Sequence, residues 1–562
     1  MLELVAFSPL VEFIAIFSIF VTALLFSSRA QMIVDVIERV LKRIASLRFI
    51  SYIIVAAISL ILSMMLSLTG RLPQPIAHDE FGYLLSADTF SHARLTNPAH
   101  PMWMHFETFH ILHQPTYMSK YPPAQGLILA VGEMIAHPIV GVWLTTVIAS
   151  IAIYWMLIAW VPPWLAFLGG ILTSLHPGLL LIWGQIFWGG QVAIIGSALV
   201  FGAFRRIVRH PQIRDALLMG IGLAVLANRR PYEGAVVCVP VAIALLVWMF
   251  KGLTPKVVLK RFVIPLLLVV IPTGMWMAYY NWRVTGDPLL MPFMEYEATY
   301  TLAPVFIWQQ PWPVPAYRHK AMADFYSGEL AEYLEQKSIS GFIDHSIRKL
   351  KVLWIFYAGI RVFRWSLIIP LIALPWLVRN RWTQFSMATL ALFVISLLAL
   401  TWQGAHYAPP IAGVVILLAL QGSRSLRLWR FKKCPLGRFL MWSMALVAVA
   451  SFAAFFAEAW LDKRTDRDPS WHFERARINE ELSRKGDHLI IVRYGPNHDP
   501  YQEWVYNEAD IDRSNVVWAR EMDPAENMKL IDYFKDRKIW LLNVGNDEWP
   551  PRLVPFSPNG QH

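Results

Sequence analysis

His78-Asp79-Glu80 sets a histidine and two adjacent carboxylates about ten residues beyond an apolar run at 50–69. The triplet opens a long polar loop in a chain that is otherwise mostly apolar. Acids placed just outside a lipid bilayer, with tyrosines and histidines after them, point to chemistry at the lipid–water interface.

The surrounding chain sets that context. Of 562 residues, 56% are hydrophobic and 16% charged, and the mean hydropathy is +0.44. A soluble chain of this length would form several domains with far more charge. Apolar runs of about 18–25 residues recur instead, the length that crosses a bilayer. Twelve spans are expected, near 8–27, 50–69, 139–160, 163–183, 187–204, 214–228, 235–250, 262–281, 352–378, 383–401, 408–421 and 438–458. The fold class is therefore an all-α polytopic membrane protein. The two cysteines, Cys238 and Cys434, imply no disulfide framework. No cleavable signal peptide is expected, because no basic segment precedes the first apolar run.

Charge is distributed unevenly. Residues 1–458 hold 35 Lys and Arg against 20 Asp and Glu, and residues 459–562 hold 15 against 19. The basic residues fall in alternate short loops, at 28–48, 205–214, 251–261, 379–381 and 422–438, which excludes a nucleic-acid-binding surface. By the positive-inside rule these loops are cytoplasmic. Loops 70–138 and 282–351 and the tail from 459 then lie outside. Three units follow: an extra helix with a basic loop at 1–48, a membrane domain at 49–458, and a small outer α/β unit at 459–562. In that tail, Leu489–Val492, Asn515–Ala519 and Ile539–Val544 read as strands and Pro524–Lys535 as a helix, with one parallel strand pair expected. The polar, aromatic stretch 498–507 is expected to pack against the outer loops, with contact to an acceptor as the alternative.

Loop 70–138 is too long for a connector. Phe81, Leu84, Leu85 and Phe90 recur at near-helical spacing, which predicts a helix lying in the membrane interface, and residues 100–106 form a second interfacial piece. The loop ends on Lys120-Tyr121-Pro122-Pro123. An acidic pair after a membrane span, interfacial helices and this lysine-proline element together resemble the GT-C superfamily of membrane glycosyltransferases. The nearest branches resemble protein O-mannosyltransferases and the aminoarabinose transferases that modify lipid A. The likeness covers about residues 50–420 and includes the stretch Asn281–Pro288. The additional helix at 8–27 departs from the pattern.

The resemblance implies an inverting transferase in a bacterial cytoplasmic membrane, its active site outside. It would move a sugar from a polyprenyl-phosphate donor to a hydroxyl on a lipid, glycan or protein acceptor. It assigns the base to Asp79, with Glu80 orienting substrate or a basic partner. Capping of a helix near Phe81 is the alternative role for Asp79. A departing phosphate needs cations, and Lys120, Arg229, Arg230 and His406 are the candidates. His78, Tyr83, Tyr121 and Tyr407 are expected to line the substrate site. Six of the sixteen histidines lie between His78 and His113. His105, Glu107 and His110 are candidate ligands for a divalent metal, although their spacing matches no strong zinc motif. Trp183 and Trp188, at an outer turn, read as interface residues, with stacking on a sugar as the alternative. The chain has no nucleotide-binding glycine loop, in keeping with a lipid-linked donor. Competing functions are a lipid-linked-glycan transporter or flippase, and a glycan ligase or polymerase. A transporter would need ionisable groups deep in its spans rather than an outer base.

Overall fold

The computed structural model describes residues 9–68, 72–250, 254–358, 380–402, 404–431, 434–465, 470–545 and 549–556. Eight helices among them are long and apolar enough to cross a membrane: Arg48–Leu68, Pro138–Trp160, Gly190–Arg209, Pro231–Met249, Pro255–Thr285, Arg381–Leu398, Pro409–Leu426 and Leu436–Glu458. Two bent helix pairs raise the number to ten: Val11–Leu25 with Ser27–Ser46, at 111°, and Pro163–Ser174 with Gly178–Gln185, at 54°. The protein is a multi-pass membrane protein. The span expected at 352–378 lies largely outside the described residues. The one expected at 214–228 is the helix Ile213–Ala227, whose 15 residues rise only about 22 Å, short of the hydrocarbon core.

Residues 28–48 form a helix, Ser27–Ser46, rather than the basic loop expected from their charge. Its Glu38 is clamped by Arg427 and Arg438 from the opposite end of the chain. Within the bundle, small residues let helices close up. A Cβ on Gly222 would stand 2.6 Å from the Gly196 carbonyl oxygen, so these two helices meet backbone to backbone. Ser51, Ser59, Ser63 and Ser67 form one buried face of Arg48–Leu68. Ser59 bonds Ser150 and Ser174 at 2.8 Å each, and Ser67 bonds Gln185 at 3.1 Å. These bonds satisfy polar groups that lipid would leave bare.

The first outer loop contains the helix His78–Ser91 and a small antiparallel sheet of 97–98, 111–112 and 116–119, with 116–119 in the middle. The helix does not lie in the interface. Phe81 and Leu85 belong to one apolar cluster with the C-terminal unit, and Phe90 to another with Tyr280, Tyr296 and Phe325. Its periodic apolar residues face protein on two sides. In the piece at 100–106, His100, His105 and Phe106 are buried, with Phe106 in the cluster shared with the C-terminal unit.

In the tail, His488–Tyr494 pairs in parallel with both Val516–Arg520 and Lys538–Val544, and Leu553–Pro555 adds an antiparallel edge. Residues 488–492 are buried throughout, as in a parallel strand covered on both faces. Helix Trp471–Ser483 precedes the first strand, and Pro524–Tyr533 lies between Val516–Arg520 and Lys538–Val544. The sheet and the first outer loop share one core. Phe81 stacks on Tyr506 at 3.9 Å and 3°, and the Asp88 carboxylate accepts the Ala509 N–H at 2.6 Å. Ser514, an apparently polar surface position, is only 3% exposed and bonds Glu508 at 2.8 Å.

Candidate active site

The helix begins at His78, with Ala77 as its N-cap, not near Phe81. Glu80 supplies the capping carboxylate. It accepts the N–H groups of Ile76 at 2.9 Å and Ala77 at 3.2 Å, and on its other oxygen that of Phe187 at 2.8 Å. Glu80 is 2% exposed, and burial pushes its carboxyl up to about 7 against those three donors. It therefore joins the start of the helix His78–Ser91 to the turn at 187. The capping task falls to Glu80, which frees Asp79.

Asp79 retains a quarter of its side-chain surface. Tyr121 donates its hydroxyl proton to Oδ1, and the Tyr121 oxygen in turn lies 3.0 Å from His110 Nδ1. Since that hydroxyl has one proton, the imidazole Nδ1–H donates to it. His110 Nδ1 is also 3.8 Å from Asp79 Oδ2. The small sheet makes this relay. Lys120 donates its backbone N–H to the His110 carbonyl at 3.1 Å, which sets Tyr121 beside His110, itself in left-handed backbone at φ 62°. Burial opposes ionisation of Asp79. Even so, its carboxyl is held well below the usual range, by the imidazoles of His110 and His406 only at acid pH where they are charged, and by the Tyr121 hydroxyl and the Lys120 charge throughout. His406 is pushed down to about 3 by burial and by Arg230, and His110 falls well below normal by burial and Lys120. At neutral pH the unit is an ionised Asp79 among neutral histidines.

The candidate cations differ in what they hold. Lys120 is 6% exposed and paired with Glu297 at 3.1 Å, its ammonium 4.5 Å from the centre of the Tyr296 ring. Arg229 bonds the Tyr83 hydroxyl at 2.6 Å and the backbone oxygens of Trp188 and Gly189. It fixes the 188–189 turn. Arg230 makes only a long 3.5 Å contact to Glu233 and lies 4.9 Å above the Tyr407 ring. Its Nε is buried without an acceptor among the described residues, and so is Nε1 of Trp188. His406 lies 4.7 Å from the Trp188 ring and 4.2 Å from that of Tyr407, the ring over which Arg230 lies. Two unsatisfied buried donors whose ring neighbours both adjoin His406 are the candidates to hold an oxyanion.

His78 is 4% exposed, stacks on Phe109 at 4.3 Å and meets the Pro500 carbonyl through Nε2 at 3.0 Å. The three candidate metal ligands are not brought together. His105 Nδ1 meets the Arg520 carbonyl at 3.1 Å, Glu107 accepts from Tyr300 and Arg318 at 3.0 and 3.3 Å, and His110 belongs to the Asp79 relay. No metal-holding group of His, Cys, Asp and Glu occurs among the described residues. A small pocket is lined by Lys120, Pro122, Pro123, Met277, Tyr280, Met291 and Phe293. Reasoning from sequence missed Glu297 and Glu329, which sit among apolar and aromatic neighbours in outer-loop helices. A carboxylate at such a position was the available signal.

No family model and no curated protein matches the chain. Among solved structures it is similar to the oligosaccharyltransferase of Archaeoglobus fulgidus in the apo form, at 12% identity and TM-score 0.46, over 81% of this chain and 63% of that one. It thus spans under two thirds of that protein's length. It is also similar to arabinofuranosyltransferase AftD from Mycobacteria, at 13% identity and TM-score 0.40, over 88% and 35%. A third similar structure is ArnT from Cupriavidus metallidurans bound to undecaprenyl phosphate, at 12% identity and TM-score 0.49, over 87% of this chain and 92% of that one. At these identities the likeness extends to the path of the chain alone.

Proposed function

We propose that the protein is an inverting membrane glycosyltransferase that takes its sugar from a polyprenyl-phosphate donor at the outer face of the membrane. The observation that carries this reading is the pairing of an ionised, accessible Asp79 with two buried donors, Arg230 Nε and Trp188 Nε1, that lack acceptors. An acceptor hydroxyl attacks the anomeric carbon while Asp79 takes its proton. The carbon–oxygen bond to phosphate breaks, and the lipid phosphate leaves with the electron pair. Arg230 and Trp188 receive that charge. Arg229 holds the turn on which Trp188 stands. Lys120 lines the small pocket beside Pro122 and Pro123, where the first isoprenoid units of the donor would lie. It reaches the phosphate only by exchanging Glu297 for it.

Asp79 is a weak base when its carboxyl is held low, so proton transfer follows development of positive charge on the attacking oxygen rather than preceding it. The acceptor must also displace the Tyr121 hydroxyl or use Oδ2.

The test is transfer from a radiolabelled polyprenyl-phosphate sugar to endogenous acceptor in membranes carrying the protein or its Asp79→Asn variant. Label should move only with the wild type, while both proteins should retain the lipid donor. Equal transfer by the two would overturn the reading. Sidedness has its own check. In intact cells, cysteine at the exposed position Asn497 should react with an impermeant thiol reagent, and cysteine at Leu428 should not. The opposite pattern would put Asp79 on the wrong side.

A further inference from the structure

We propose that Tyr501, presented by the C-terminal unit, is the stacking platform of an acceptor subsite that takes a sugar ring without negative charge. This rests on the transferase reading and names its acceptor class.

Tyr501 is 63% exposed, although it stands over the mouth of the candidate site. Its ring is parallel to that of His78 at 6.1 Å and 14°, and His78 lies parallel on Phe109 at 4.3 Å and 5°. Phe325 meets Tyr501 edge-on at 5.3 Å. Tyr501 is therefore the outward end of a three-ring column whose middle member precedes Asp79 in the chain. The loop that carries it is fixed. His78 Nε2 meets the Pro500 carbonyl, and Asp499 Oδ1 accepts the Tyr501 N–H at 3.0 Å. Neighbouring residues 504–506 are buried in the shared core, which divides the stretch 498–507 into a packed half and a displayed half.

An exposed ring held rigidly by other rings offers a flat apolar face at little entropic cost. Asp499, whose Oδ1 accepts the Tyr501 N–H, sets a carboxylate beside the ring, and the charge of Glu332 bears on it as well. An aromatic face edged by acceptors suits a pyranose, whose C–H face stacks and whose hydroxyls donate. The same edge repels a phosphorylated or uronic ring and tolerates an amine. The platform adjoins the base, because His78, whose ring lies parallel to that of Tyr501, is the residue before Asp79.

The test uses the full chain in detergent and saturation-transfer NMR with three probes: methyl α-mannopyranoside, glucosamine and glucuronic acid. The first two should receive saturation at their ring protons, and glucuronic acid should not. Tyr501→Ala should weaken the first two by about three- to tenfold, the worth of one stacked aromatic pair, and Tyr501→Phe should preserve them. Equal signals in wild type and Tyr501→Ala, equal saturation of glucuronic acid, or no saturation by any sugar would overturn the platform. The outcomes also separate the two proposals. Sugar binding that depends on Tyr501 in a protein without transfer activity would sink the transferase alone. Transfer whose acceptor KM is untouched by Tyr501→Ala would sink the platform alone.

Discussion

Two shielded carboxylates, Glu38 on the helix Ser27–Ser46 and Asp79 on the helix His78–Ser91, are handled in opposite ways. Glu38 is 2% exposed and saturated: Arg427 donates to both its oxygens at 3.2 and 2.6 Å, Arg438 at 2.9 Å and Trp442 at 3.3 Å. Asp79 meets a tyrosine hydroxyl and a neutral imidazole, while the nearby cations have other partners. A carboxylate saturated by guanidinium groups fastens one part of a chain to another. One left partly open, in a pocket whose donors are also incomplete, is available for chemistry. Local pairing separates the structural acid from the reactive one better than burial does.

The contrast can be broken most sharply by removing each charge in turn. Asp79→Asn should lower the transfer rate by about 10²–10⁴ and move the melting temperature by no more than about 2 °C. Glu38→Gln should do the reverse. It should lower stability by about 1–3 kcal/mol, because two arginines lose a charged acceptor, while turnover per folded molecule is unchanged. Thermal melts in detergent together with rate measurements decide both. If Glu38→Gln abolished transfer in a folded protein, the division would fail.

The two arginines come next. Arg230→Ala should raise the KM for donor by about ten- to a hundredfold, the worth of a charge-assisted contact of 1.5–3 kcal/mol. Arg229→Ala should instead lower both stability and rate, because the 188–189 turn loses its tie. If the two variants gave the same kinetic pattern, the assignment of Arg230 to phosphate and Arg229 to support would be wrong.

A smaller effect is expected at Glu297. Glu297→Gln should release Lys120 and tighten donor binding by a few-fold, about the worth of one buried pair exchanged for another. Weaker donor binding would show that Lys120 needs Glu297 to hold its position.

The smallest effect is an absence of change. A depressed carboxyl keeps its charge above its ordinary range and loses it only as pH falls through the lowered value. The Asp79 contribution to kcat/KM should therefore be flat from pH 8 to 5. An acid limb near pH 6 that vanishes in Asp79→Glu would show that Asp79 is not held low.

Much of the fold could be read along the chain. Apolar runs such as 50–69 and 139–160 correspond to the helices Arg48–Leu68 and Pro138–Trp160, since lipid forces a run of that length to satisfy its own backbone. The periodic face of 81–90 was legible as a helix, but its covering was not. A helix buried between two protein units carries the same pattern as one lying on lipid. The basic stretch 28–48 misled for a related reason, because Arg and Lys are compatible with helix and loop alike.

The sequence by itself determined that the chain is a multi-pass helical membrane protein, where its longest apolar helices lie, which stretches carry its positive charge, and that an acid pair follows a span. These are local properties, set by side-chain type over some twenty residues. Only the tertiary structure decided which acid is open, which arginine has donors to spare, and that Tyr501 faces the helix of Asp79. Those outcomes depend on partners far apart in the chain. Phe187 takes one oxygen of Glu80 from 107 positions away, and Pro500 meets His78 from 422. Charge and hydrogen bonding act over a few ångströms of space, and no window of sequence contains the groups that satisfy them.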